Sequence, residues 1–244
     1  MSAGTSTKLP RRRTAPRSSV TVRKPMIVVV PQASPQLQRR EFVKSLVEYP
    51  AALLLFVLAL PVMIAAIGLI RATSRGPAIY SQIRVGRAGR VFTIHKLRTM
   101  YHDCESLTGP RWALPGDPRI TPFGRICRKL HLDELPQLWN VLRGDMSLVG
   151  PRPERPEIVA QLRRSIPSYD ARHVVRPGIT GFAQVHLPPD TNIQSVKNKV
   201  AYDRFYIGRF TPGMDLFVYI CTALKVVGLK SWYRRPPRRP TDEV

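Results

Sequence analysis

Cysteine is scarce in this 244-residue chain. Cys104, Cys127 and Cys221 are far apart and form no C-x-x-C pair. That argues against a disulfide framework or a zinc site and favours a reducing compartment. His95, His102, His131, His173 and His186 show no ligand spacing either. Acidic residues are few: 16 Asp and Glu face 39 Lys and Arg, a formal net charge of +23. Such a balance points to anionic partners, whether nucleic acid, an acidic membrane surface or phosphorylated substrates. There is no Walker loop and no G-x-G-x-x-G; Gly86-Arg87-Ala88-Gly89 is too short for either and reads as a turn. No internal repeat is visible. A secretory signal fits poorly, because the basic region is long and the apolar run Met26–Val30 is only five residues.

Proline, by contrast, is plentiful at 24 residues, so many connections should be stiff and non-helical. The length allows one sizeable domain with appendages. Residues 1–40 read as a basic, disordered tail, with Lys8, Arg11, Arg12, Arg13, Arg17, Arg23 and Lys24 among Ser, Thr and Pro. Residues 41–75 read as a membrane-embedded segment. Its uncharged stretch, Tyr49–Ile70, would span roughly 33 Å as a straight helix, against a bilayer core of about 30 Å. Arg39, Arg40 and Lys44 precede the stretch and Arg71 and Arg75 follow it, which favours the cytoplasm for both ends. A single span cannot satisfy both flanks. Pro61 near the middle can bend the helix, so that it enters and leaves through one face. The re-entrant reading is preferred, with a full span as the alternative.

Residues 76–230 have the composition of a soluble domain, and 231–244 form a second basic tail. Ile79–Ile94 reads as a hairpin turning at Gly86 and Gly89. Residues 101–122 read as loop, Gly124–Leu130 as a short helix, and Pro156–Arg164 as an amphipathic helix. Phe182–Val185 reads as a strand, and Val196–Arg209 and Met214–Val227 as helices. The last, with Trp232, Tyr233 and the arginines beyond, suits a helix lying on an anionic membrane. The fold class is α+β, mainly helical: a membrane-associated cytosolic domain with a proline-broken N-terminal helix and interfacial amphipathic helices.

The chemistry concentrates in Leu132–Glu154, LDELPQLWNVLRGDMSLVGPRPE. An adjacent acidic pair such as Asp133-Glu134 is most often a solvated face, and Asp133 could simply cap a helix. Pro136 is tolerated only in a first turn, so a helix is expected to start near Asp133 and present both acids at its positive end. Arg128 and Lys129 lie just upstream; Arg152 is held between Pro151 and Pro153. Fixed arginines suit bidentate recognition of phosphate. Two carboxylates among arginines allow two roles, a nucleophile on phosphorus and a ligand for a divalent cation.

With these motifs the chain resembles the bacterial sugar transferase family, the monotopic phosphoglycosyl transferases, from about Phe42 to Val227. The resemblance rests on KLRTM (Lys96–Met100), DPRITPFGR (Asp117–Arg125), the central stretch, and RPGITGFAQV (Arg176–Val185). It implies transfer of a sugar phosphate from a UDP-sugar to polyprenyl (undecaprenyl) phosphate, starting an exopolysaccharide, capsule or O-antigen type glycan. UMP would be released, and a phosphosugar-aspartate would form on the way. Asp133 matches the nucleophile, and Glu134 the partner that with it holds Mg2+. Lys96, Arg98, Arg128, Pro151, Arg152 and Asp215 match substrate-binding positions. Arg176, Gly178, Thr180 and Gln184 lie in the segment tied to the nucleotide sugar. The implied location is the cytoplasmic face of the inner membrane, with membrane lipid as a partner and no nucleic acid; a homo-oligomer stays open. The family commonly has Ser before the breaking proline, where this chain has Leu60, and often Asn-Gly-Arg after the last motif, where this chain has His186-Leu187-Pro188. A different class of function, a non-catalytic membrane-tethered module binding nucleic acid or anionic lipid, accounts for the charge but not for the ordered motifs.

Overall fold

The computed structural model describes residues 31–104 and 116–229. The expectations placed on 1–30, on 105–115 within the loop, and on the basic C-terminal tail lie outside the described residues.

The first element, α1 (Pro35–Thr73), is a 39-residue helix. Ser34 starts it by accepting a hydrogen bond from the Leu37 amide, with Pro35 in the first turn. It therefore takes in Pro35–Arg40, which the sequence assigned to the tail. The helix continues through both Pro50 and Pro61. Its buried residues, Glu41, Lys44, Glu48 and Ala52, then Met63, Ala66 and Ile70, are spaced three or four apart within each group and eleven, about three turns, between them, and so define one face. The opposite face exposes Phe42, Leu46, Val47, Leu54, Leu58, Val62 and Ile64.

A hairpin follows, β1 (Ile79–Val85) against β2 (Val91–Leu97), in the antiparallel register Ile79↔Leu97 to Val85↔Val91. Its turn uses left-handed backbone at Ala88 and Gly89. Next come α2 (Pro122–Lys129), capped by Thr121, and α3 (Gln137–Leu142). The chain continues with β3 (Ser147–Val149) and α4 (Pro156–Ser165). A 3-10 segment (Tyr169–Val174) leads to β4 (Gly178–Thr180) and α5 (Phe182–His186). Helices α6 (Ile193–Arg209) and α7 (Pro212–Val226) end the described chain.

Two further expectations are corrected. Phe182–Val185 is helix, and the strand lies earlier, at Gly178–Thr180. The Val185 amide bonds the Gly181 carbonyl, and Phe182, Ala183 and Val185 all reach the core, which a strand of alternating faces could not arrange. The acidic pair does not open an α-helix. It sits in a separate 3-10 turn, Leu132–Glu134, entered through a left-handed His131 and closed by i→i+3 bonds. Pro136 then begins α3.

Two parts of the core meet along α1. Ala52 packs with Ile94, Leu138, Val141, Met146 and Leu148. Phe182, Tyr202, Tyr206, Phe210, Val218 and Cys221 surround Val149. Further along, Ala66 and Ile70 pack with Ala78 and Leu97. The helix thus lies against one body from its N-terminal half to its last turn.

Candidate active site

Three elements bring charge to the acidic turn. Strand β2 ends by presenting Lys96, whose Nζ donates to Glu134 Oε1 at 3.0 Å. From the other side Arg152 Nη2 donates to the same oxygen at 2.8 Å. The last turn of α2 carries Arg128, braced through Nε on Thr99 Oγ1 at 2.9 Å. A positive side chain at a helix C-terminus is itself favourable.

The two adjacent carboxyls respond in opposite ways. Burial pushes the Asp133 carboxyl up, and the neighbouring Glu134 charge pushes it further, against the pull of Lys96, Arg128 and Arg152. Burial also works against Glu134, but Arg152 and then Lys96 overcome it and hold that carboxyl far below the usual range. Glu134 raises the Arg152 guanidinium in return. Burial, with Arg152 close by, lowers the Lys96 ammonium despite Glu134. Carboxyls pushed apart in this way are suited to different tasks. Asp133 is the more basic of the two, and Glu134 is held as the anion by its two cations.

Arg152 owes its position to two motifs that face each other. Strands β3 and β4 pair in parallel, Ser147 with Gly178 and Val149 with Thr180. The backbones approach so closely that a Cβ on Gly178 would lie 2.1 Å from the Gly150 nitrogen, and one on Gly150 would lie 2.5 Å from the Arg176 carbonyl. The Gly150 amide donates to the Thr180 carbonyl at 2.9 Å. Pro151 and Pro153 then fix the backbone on either side of Arg152. Arg172 Nη2 holds the Arg152 carbonyl at 3.0 Å, and Arg84 Nη1 holds the Pro153 carbonyl at 3.1 Å. Arg172 is fully buried and paired with Asp203 of α6 at 2.7 Å.

Lys96, Arg128, Asp133, Glu134 and Arg152 are thus brought together. Other expected site residues hold contacts elsewhere. Arg98 binds the Ser74 carbonyl and hydroxyl at the end of α1. Buried Arg176 binds Glu41, Ser45 and Tyr49 of α1. Thr180 pairs with Thr222, and Gln184 Nε2 donates to the Ile179 carbonyl. Asp215 is buried between Tyr206, at 2.6 Å, and Lys44, at 3.1 Å. Pro151 and Gly178 serve the close approach that aims Arg152. From the sequence, Lys44 was read only as a flanking positive charge, and Glu41, Glu48 and the Arg172–Asp203 pair were passed over; Glu41, Lys44 and Glu48 form the charged start of the buried α1 face. A signal existed for these three, since charges at 41, 44 and 48 fall on one helical face.

Among the described residues no group of three or more His, Cys, Asp and Glu is gathered as a metal cage. A carboxylate pair still fits Mg2+, which is bound through one or two carboxylates together with substrate phosphates. Lys96 and Arg152 both use Oε1 of Glu134, leaving Oε2 outside those two pairs.

Residues 39–229 match the family model described as bacterial sugar transferase. A UDP-N-acetylgalactosamine-undecaprenyl-phosphate N-acetylgalactosaminephosphotransferase of Aeromonas hydrophila is 42% identical over 181 residues, 74% of this chain and 43% of that protein. A UDP-glucose:undecaprenyl-phosphate glucose-1-phosphate transferase of Xanthomonas campestris pv. campestris is 38% identical, over 71% of this chain and 36% of that one. A transferase of the same description from Caulobacter vibrioides is 42% identical, covering 73% of this chain and 67% of its own length. The chain spans less than half the length of the first two relatives. A match over residues 39–229 covers most of the chain, which therefore belongs to the bacterial sugar transferase family.

Proposed function

We propose that this chain transfers a sugar 1-phosphate from a UDP-sugar to polyprenyl phosphate at a membrane surface, the opening step of a surface glycan. The observation that carries the reading is the opposed pair Asp133 and Glu134, set among Lys96, Arg128 and Arg152. An ionised Asp133 oxygen attacks the phosphorus that bears the sugar. The bond from that phosphorus to UMP breaks, and UMP leaves with the electron pair. A phosphate oxygen of the polyprenyl acceptor then attacks the same phosphorus and releases Asp133 as a carboxylate. Glu134, locked by two cations, stays ionised throughout. Arg128 and Arg152 supply fixed positive charge to the phosphate oxygens. Mg2+, held by Asp133 and Glu134, would add charge neutralisation on the diphosphate.

The shape of α1 supports a membrane surface approached from one side. Its charged start, its middle and its last turn all pack on the same body, while its outer face exposes large apolar side chains. A helix tied along its length to one domain is not free to cross a bilayer and leave that domain behind. The re-entrant reading, the cytoplasmic face of the inner membrane and contact with lipid follow as parts of the proposal. Helix α7, exposing Leu216, Phe217 and Ile220, offers a second apolar face to the same surface.

The decisive measurement is UMP release from a panel of UDP-sugars with polyprenyl phosphate and Mg2+. Asp133→Asn should abolish turnover and any trapped phosphosugar adduct. Continued turnover in that variant would overturn the covalent route, and no UMP from any UDP-sugar with folded protein would overturn the function.

A further inference from the structure

Helix α1 carries three buried charges that the chemistry above leaves unused: Glu41, Lys44 and Glu48. Two of them grip a single strand. Glu48 Oε1 accepts from the amides of Leu148 and Val149 at 3.1 and 3.2 Å, and its Oε2 accepts from Ser147 Oγ at 2.6 Å. Lys44 Nζ donates to the Val149 carbonyl at 2.6 Å and to Tyr206 Oη at 2.8 Å, and it pairs with Asp215 and Glu48. All of β3 is therefore held by side chains of the apolar helix as well as by β4. Fastening α1 to the domain could be done with apolar contacts, as Ala66 and Ile70 do near its other end. Burying a carboxylate and an ammonium on one strand is costly unless their hydrogen bonds specify its position.

That strand leads directly to Arg152. Val149 is followed by Gly150, wedged against Arg176–Gly178 and Gly181, and then by Pro151-Arg152-Pro153. Such a segment has little freedom to absorb a shift of β3, so the shift passes to the guanidinium that holds Glu134 at 2.8 Å. We infer that Glu48 and Lys44 are positioning residues: through β3 they set Arg152 against Glu134, so the membrane helix is a working part of the transfer site. The inference rests on the transferase reading above and deepens it.

The test is a double-mutant cycle on the full chain in detergent or nanodiscs, with Glu48→Gln, Arg152→Ala and the pair, assayed well below their melting temperatures. Glu48→Gln should lower kcat about 10- to 100-fold, the scale of a small misplacement, with KM for the UDP-sugar within about twofold. In the Arg152→Ala background it should cost nothing further, because its route is gone. Glu48→Asp should recover part of the loss. Hydrogen exchange reads the same coupling without turnover: the Gly150 amide, which Glu48 does not touch, should exchange faster in Glu48→Gln. If Glu48→Gln fails to fold, Tyr219→Phe removes one donor to Glu48, at 3.3 Å, and should give a smaller kcat loss with the same non-additivity. Additive losses, a change confined to melting temperature or KM, or unchanged exchange at Gly150 would each overturn the inference. A parent that releases no UMP, beside faster Gly150 exchange in the variant, would overturn the transferase reading instead and leave the grip on β3 standing.

Discussion

Asp133 and Glu134 are neighbours in sequence, yet their surroundings push them in opposite directions, and this sets a sign for the pH dependence. Burial and the Glu134 charge raise Asp133, so the protonated, non-nucleophilic form persists to a pH above the ordinary aspartate range. Activity should rise through an acid limb as Asp133 ionises. Among the cations around Asp133, Lys96 pulls that limb down most. Lys96→Met removes the charge, leaves Asp133 harder to ionise, and should move the acid limb of kcat/KM to higher pH. Glu134→Gln removes a like charge, so the limb of whatever activity remains should move the other way. Rate profiles between about pH 4 and 8 would check both, and a Lys96→Met limb at lower pH would contradict the assignment. Arg152 belongs to the same scale. Arg152→Lys keeps the charge but loses the planar fork, and a roughly 100-fold fall in kcat is expected from steady-state rates.

At the scale of elements, the glycines of the facing motifs separate close approach from free space. A Cβ at Gly178 would meet the Gly150 nitrogen at 2.1 Å, backbone against backbone, with no flexible atom to give way. Gly178→Ala should therefore part β3 from β4, lower stability by at least about 1–3 kcal/mol, and remove activity with it. Gly208 in α6 is the control, since a Cβ there would meet nothing within 4 Å. Gly208→Ala should hold or raise stability by up to about 1 kcal/mol. Thermal melts of both variants decide it; equal melting temperatures would contradict the close approach. The elements themselves were legible where local chemistry fixes them. The hairpin turn at Gly86 and Gly89, the short helix near Gly124–Leu130 and the helices α6 and α7 were all local signals. So was the expectation that Arg128 and Arg152 would flank an acidic pair. Phe182–His186 was not legible, because five residues with Phe182, Ala183 and Val185 as their apolar members fit a strand or a helix equally and long-range packing chooses. Nor was the grip of Glu48 on β3, whose partners lie 99 to 101 residues away. For the same reason Arg176 and Asp215, read as substrate contacts, could not be seen to meet Glu41 and Lys44 of α1.

At the scale of the whole molecule, the issue is how a 39-residue helix about 58 Å long meets a bilayer while one face stays on a basic domain. The buried face of α1 runs from Glu41 to Ile70, and its other face exposes Leu53, Leu54, Leu58, Val62 and Ile64. On the re-entrant reading proposed above, Arg39 and Arg40 before the apolar stretch and Arg71 and Arg75 after it would stay at one headgroup layer, where anionic lipid favours positive charge. Crossing the bilayer would instead strip either the Glu48 grip on β3 or the Ser74–Arg98 contact from the domain, leaving buried charge without partners. The expected outcome is that both ends of α1 face the same compartment. Arg39→Cys and Ala72→Cys occupy exposed positions, and Cys127 and Cys221 are buried, so a Cys104→Ala background gives a quiet baseline among the described residues. An impermeant maleimide should label both engineered cysteines in inverted inner-membrane vesicles and neither in right-side-out spheroplasts. Labelling of Arg39→Cys and Ala72→Cys from opposite sides would establish a full span and remove the one-sided surface on which the proposed transfer depends.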